Sequence, residues 1–163
     1  MKKLIVVWVV DDLHEALEAA ANCVKEAGEE MGLSLSLFQV KSLAWSGHPK
    51  EELPKLVVLD LMQDGAPLGI SFYEELRAAE KADQREATRA FVIIWSDYIS
   101  TGDRPRGFAA THAAMDGRLI NLNLGYKSPG SIAGLREKIR GALGRILDED
   151  LCSLETENLE NLG

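Results

Sequence analysis

The run Leu56-Val57-Val58-Leu59-Asp60 decides how the chain is read: a short stretch apolar at every position, closed by a carboxylate. A strand that is apolar at consecutive rather than alternate positions is covered on both faces, and such strands belong to parallel sheets flanked by helices. Two further stretches share the pattern. Leu4–Val10 is closed by Asp11 and Asp12, and Phe91–Trp95 by Ser96.

Working outward, the segments between these runs change period. Leu17, Ala20, Ala21, Val24, Ala27 and Met31 recur at helical spacing and Gly32 follows, which predicts a helix over His14–Met31. Leu33, Leu35 and Leu37 alternate with Ser34 and Ser36, the pattern of a half-covered strand at a sheet edge. Lys41–Lys55 carries Gly47, Pro49 and Pro54 and leaves room only for a short helix around Lys50–Leu53. Past a loop holding Gly65, Pro67 and Gly69, Phe72, Leu76 and Ala79 predict another helix. A Gly- and Pro-containing stretch, Thr101–Gly107, leads into an Ala-rich helix ending near Met115. Leu119–Tyr126 reads as a strand stopping at Lys127, and Ile132, Leu135, Ile139, Leu143 and Ile146 as an amphipathic helix. Alternating strands and helices of this kind predict five β/α units and a doubly wound, five-stranded parallel sheet of flavodoxin-like type.

The chain of 163 residues fits one domain, expected over residues 1–147, followed by a C-terminal helical extension or tail over 148–163. Leu147, Leu151 and Leu154 keep the apolar spacing of the last helix, so this extension could form a homodimer contact or be a packed or frayed tail.

Hydrophobic residues at 46% and charged residues at 27% are ordinary soluble proportions. A formal net charge of -8 argues against nucleic acid as a partner, because a phosphate backbone is held by clustered Lys and Arg. Cys23 and Cys152 stand far apart with no CxxC or Cys/His companion, so neither a disulfide framework nor a zinc site is indicated. His14, His48 and His112 have no metal-ligand spacing and read as surface or capping residues, whereas Trp8 and Trp95 lie inside apolar strands and read as core. Lys2 and Lys3 precede the first apolar run as in a signal peptide, but the run is short and ends in two aspartates. No stretch approaches the roughly 18 apolar residues of a membrane span. A cytoplasmic protein with no membrane partner is expected.

In sheets of this kind ligands sit beyond the carboxyl ends of the strands. The residues there are Asp11, Asp12, Asp60, Ser96 and Lys127: three acids, a hydroxyl and an amine on one rim. Carboxylates crowded into a partly desolvated cleft repel one another, and a hard cation is their natural partner. Magnesium suits an oxygen-only rim of few carboxylates completed by waters and a phosphate. A Lys and a Ser hydroxyl could then contact the remaining phosphoryl oxygens.

With those residues in that order the sequence resembles the response-regulator receiver domains of two-component signalling, over nearly the whole chain to about Leu147. An acidic pair follows strand one (VVDD, Asp11 and Asp12), an Asp ends strand three (VVLDLM, Asp60), a Ser ends strand four (VIIWS, Ser96), and a Lys follows strand five (GYKSP, Lys127). The resemblance implies that Asp60 accepts a phosphoryl group from a histidine kinase or histidine phosphotransfer protein. It implies Mg2+ bound by Asp11, Asp12, Asp60 and the backbone carbonyl of Met62, with Ser96 and Lys127 on the phosphoryl oxygens. The product would be an acyl phosphate on a free-standing signalling domain, not a turnover enzyme, whose output is contact with a downstream protein.

Several positions depart from the family pattern. Gln63 stands soon after Asp60 where Pro is common, Ser128 interrupts the Lys-Pro step, and Leu124 replaces the aromatic residue usual three before the Lys, with Tyr126 nearby. Asp97 follows Ser96 where a small residue is usual. Met62 and Tyr98, two past Asp60 and Ser96, are bulky at positions that flank the hydrolytic water, which predicts a phosphoryl group lasting minutes or longer. The alternative reading is a pseudo-receiver, an interaction module independent of phosphorylation. A haloacid-dehalogenase-like hydrolase fits less well, because Asp60-Leu61-Met62 lacks the second Asp of that family's DxD motif.

Overall fold

The computed structural model describes residues 4–96, 115–122 and 124–161, with side chains up to 152. In chain order these form β1 (Ile5–Val10), α1 (His14–Glu30), β2 (Leu35–Val40), a 3-10 turn (Trp45–Gly47), β3 (Leu56–Leu59), α2 (Leu68–Ala82), β4 (Phe91–Trp95), β5 (Leu119–Leu122) and α3 (Ser131–Asn161). The five strands make one sheet in the order β2-β1-β3-β4-β5, parallel throughout. This is the doubly wound α/β architecture expected from the uninterrupted apolar runs, and β1, β3 and β4 are buried along their whole length.

Alternate residues of each strand feed two cores. On one face Val7, Val9, Val58 and Ile93 pack with Leu17 and Val24 of α1 and with Leu135, Ile139 and Leu143 of α3. On the other Trp8, Val10, Val57 and Ile94 pack with Ile70, Phe72 and Leu76 of α2 and with Trp45 of the 3-10 turn. Trp8 and Trp95 are core residues, as their strand positions predicted.

The segment between β2 and β3 differs from the expectation of a helix around Lys50–Leu53. Those residues are irregular, and the only helical turn of the segment is the 3-10 turn earlier on. Pro49 and Pro54 bracket the expected helix, and a residue before proline is disfavoured in helical geometry. Covering the sheet falls instead to rings: Trp45 stacks on His48 at 3.9 Å, stands edge-on to Phe72 at 5.1 Å, and reaches to 6.2 Å from Trp8. His48 caps the 3-10 turn, donating its backbone N–H to Trp45 O at 3.0 Å, as a capping residue was expected to, and its ring also joins the aromatic cluster.

Two strand limits also move. β2 starts at Leu35 and runs to Val40, because it pairs with the full length of β1, Ile5 opposite Leu35 and Val10 opposite Val40. β5 covers Leu119–Leu122, its last pair being Leu122 with Trp95 at the end of β4, and the described residues from Leu124 to Tyr126 are not strand. The expected Ala-rich helix before Met115 lies outside the described residues. α3 continues unbroken past Leu147 to Asn161, so the C-terminal extension is helical. No helix is long and apolar enough to cross a membrane among the described residues.

Candidate functional site

The ladder hydrogen bonds place the acids. Asp11 donates its N–H to Val40 O at 3.1 Å, and Asp60 donates its own to Val10 O at 3.1 Å, so each carboxylate begins where strand pairing runs out. Asp11 Oδ1 accepts the Leu13 N–H at 2.9 Å, an Asx turn that closes the step into α1. Asp60 Oδ1 accepts the Leu61 N–H at 2.8 Å, and the same carboxylate also takes the Met62 N–H and the hydroxyl of buried Ser96. The rim therefore brings Asp11, Asp12 and Asp60 together with their ligand oxygens within 4.8 Å of one another, and sets Ser96 and Met62 against Asp60.

Charge at this site is poorly offset. Burial, then the neighbouring charge of Asp60, pushes Asp11 up from 3.8 to about 7, against the pull of the Leu13 N–H. Burial likewise lifts Asp60 to about 6, although Ser96 and the N–H groups of Leu61 and Met62 favour its ionised form. A set of oxygen donors that cannot comfortably ionise together fits a hard divalent cation, which would neutralise them without a proton.

Lys127 is exposed on the turn after β5 and makes no hydrogen bond or ion pair among the described residues. It is not among the groups that lower the pKa of either Asp11 or Asp60. Asp97, Tyr98 and His112 lie outside the described residues. His14 is exposed on α1, 3.7 Å from Glu18 and apart from the acids.

Gln63 and Gly69, which the sequence marks only as a departure from the family pattern and a loop glycine, shape the site. Gln63 and Ala66 bond to each other through both backbone groups, at 3.0 and 2.9 Å, around Asp64 (φ 50) and Gly65 (φ 76). That is a two-residue hairpin of the Asp-Gly type, where both central residues need positive φ, and the Asp64-Gly65 pair was its legible signal. Gln63 Oε1 then accepts the N–H of buried Leu43 at 2.7 Å, tying this hairpin to the β2–β3 connection. Gly69 in the first turn of α2 donates its N–H to Leu61 O at 3.0 Å and lies directly on the backbone of Asp60.

No protein-family model and no curated protein matches the sequence. Among solved structures the chain is similar to a short-chain flavodoxin associated with a bacterial microcompartment, with TM-score 0.54 and 13% identity over 88% of this chain and 99% of that one. It is also similar to oxidised flavodoxin 2 from Bacillus cereus, with TM-score 0.51 and 11% identity over 86% of this chain and 99% of that one. At such identities the likeness carries the fold alone. The chain has a flavodoxin-like fold with an acidic cluster at the strand ends able to bind a metal ion.

Proposed function

We propose that this chain is a receiver domain that accepts a phosphoryl group on Asp60, from a phosphohistidine of a histidine kinase or phosphotransfer protein, and signals by contact with another protein. The observation that carries the reading is the meeting of Asp11, Asp12 and Asp60 on one rim, with the Ser96 hydroxyl on the Asp60 carboxylate. A lone strand-ending Asp most often caps a turn; three acids and a hydroxyl from three different strand ends, in family order, are hard to account for that way.

In this reading an oxygen of the Asp60 carboxylate attacks phosphorus, the P–N bond to the donor imidazole breaks, and the bonding pair leaves with the imidazole. The result is an acyl phosphate on Asp60. The N–H groups of Leu61 and Met62 hold the carboxylate still. Ser96 would turn its hydroxyl from the carboxylate to a phosphoryl oxygen, and Lys127, exposed on its turn, would swing in to another. Asp11, Asp12 and Asp60 would hold Mg2+, which supplies positive charge against the equatorial oxygens. The chain's own part is to align the nucleophile and to keep the acids close enough to share one ion.

The exposure of Lys127, without a bond to the triad, favours a second reading, the phosphorylation-independent pseudo-receiver. Intact mass of wild type and Asp60→Asn after incubation with Mg2+ and phosphoramidate decides between them. One added phosphoryl group in wild type and none in the variant is the expected result; no addition to folded wild type would leave the pseudo-receiver.

A further inference from the structure

β2 lies at the edge of the sheet, bonded on one side only among the described residues. Ile5 donates to Ser34 O at 3.0 Å and Asp11 to Val40 O at 3.1 Å, so in the parallel ladder the even-numbered residues of β2 turn their backbone groups toward β1. Leu35, Leu37 and Gln39 consequently turn theirs outward, and among the described residues no backbone group pairs with them. Edge strands of monomers are commonly guarded by a charge, a proline or a bulge; β2 reads Leu-Ser-Leu-Phe-Gln-Val and has none of these. Its flanks are also open. A cleft of about 490 Å³ lined by Phe38, Lys41 and His48 borders it, as does one of about 250 Å³ lined by Val24, Glu29 and Leu37.

We propose that this edge is a dimerisation surface on which β2 pairs antiparallel with β2 of a second copy, about a twofold axis at Leu37. A closed pair of identical edges must be antiparallel. Centred on Leu37, this register sets Leu35 opposite the partner's Gln39, so every outward N–H and C=O of the three residues finds a mate. The strand is uncharged, so no like charges meet across the axis. Lys41, exposed just past the strand, falls opposite the partner's Leu33 and beside the partner's Glu29, which is exposed and of opposite sign. Leu37, half-buried against the α1 core, would be covered by Leu37 of the other copy, and Leu35 by its Gln39 and, diagonally, its Leu37. A six-residue edge buries less than the roughly 800 Å² per partner of a standard interface, so the dimer is concentration-dependent. The proposal does not depend on phosphorylation of Asp60.

Sedimentation equilibrium of the full chain up to about 500 μM, well above a Kd in the range of roughly 10–100 μM, tests it. Wild type is expected to dimerise, Leu37→Lys and Leu37→Glu to be monomeric alone, and their equal mixture to dimerise again, which no folding defect could mimic. Lys41→Glu should weaken the dimer about fivefold, and adding Glu29→Lys should restore it. Monomeric wild type at the highest concentration would overturn the proposal and leave the edge, at most, to a strand from another protein. Dimers that persist in both Leu37 variants would overturn it too, placing the contact elsewhere.

Discussion

A β-carbon on Gly69 would stand 2.1 Å from the carbonyl oxygen of Asp60 and 2.7 Å from Cα of Leu61. Both neighbours are backbone, so neither can turn aside as a side-chain tip would. The first turn of α2 therefore rests on the peptide that carries the central acid of the site, and any side chain at position 69 must push helix and strand end apart.

Gly69→Ala is expected to cost about 3 kcal/mol in urea unfolding, as over-packing into rigid surroundings does. It should also weaken divalent-ion binding about tenfold, the usual penalty for disturbing what supports a ligand. Gly144→Ala, inside α3 where an added β-carbon meets nothing within 4 Å, is the control: it should gain up to about 1 kcal/mol in stability and leave ion binding unchanged. Equal behaviour of the two variants, in unfolding and in ion titration by calorimetry, would contradict the close-contact argument.

Much of this was legible before any coordinates. The apolar runs before Asp11, Asp60 and Ser96 report directly that β1, β3 and β4 are covered on both faces, and order along the chain then brings their ends to one rim. What the sequence hid is contact across it. Nothing local tells that Trp45 and His48 stack to cover the sheet where a helix was expected, because that depends on Trp8 and Phe72 being opposite. The need for Gly at 69 is set by the backbone of Asp60, which is a tertiary fact. Lys127 shows the limit on the site itself: the motif places it in family order, while the structure leaves it exposed on its turn.

The acids give the metal-free protein an unusual pH response. Between about pH 4 and 7 the folded chain keeps protons on Asp11 and Asp60 that the unfolded chain, with ordinary carboxyl values of 3.8, has released. The folded state binds more protons, so stability falls as pH rises through this window, the reverse of a carboxylate held by a cation. Without divalent ions the melting temperature should drop by about 5 °C from pH 5 to pH 8, and Mg2+ should raise it far more at pH 8 than at pH 5. Asp60→Asn removes one charge and relieves Asp11, so its profile should be flatter. A wild-type melting temperature that climbs over this range would contradict the assignment.

At the opposite ends of the strands the electrostatics have the other sign. Asp116 accepts bonds from Tyr73 at 2.5 Å, Arg77 at 3.1 Å and Arg89 at 2.9 Å, while buried Glu80 takes Arg77 at 2.7 Å and the Ala90 N–H at 2.5 Å. Despite burial, these partners hold Asp116 down at about 2. Its contribution is full above about pH 4 and lost as pH falls toward 2. Asp116→Ala takes one of two carboxylates from Arg77 and leaves Arg89 only the Glu86 carbonyl, and should cost about 3 kcal/mol, against about 1 kcal/mol for Tyr73→Phe. Metal affinity should not move in Tyr73→Phe, because the network is a sheet's length from Asp60; a tenfold change there would show the two ends to be coupled.

The lifetime of a phosphoryl group on Asp60, if the proposed function holds, should be set in part by Met62. Its side chain is half-buried against the core that also holds Leu61 and Ile70, and a thioether is at best a weak acceptor. Met62 therefore offers water approaching phosphorus from that side no group able to orient it for in-line attack, and orientation is a large part of what lowers such barriers. The acyl phosphate is accordingly expected to survive for minutes, by loss of the added mass over time. An amide at the same position could both donate to and accept from a water, so Met62→Asn should shorten the half-life about tenfold, while Met62→Leu, equally apolar, should not. Rapid hydrolysis in wild type, or equal lifetimes in all three proteins, would mean that access to the phosphoryl group is governed elsewhere on the rim.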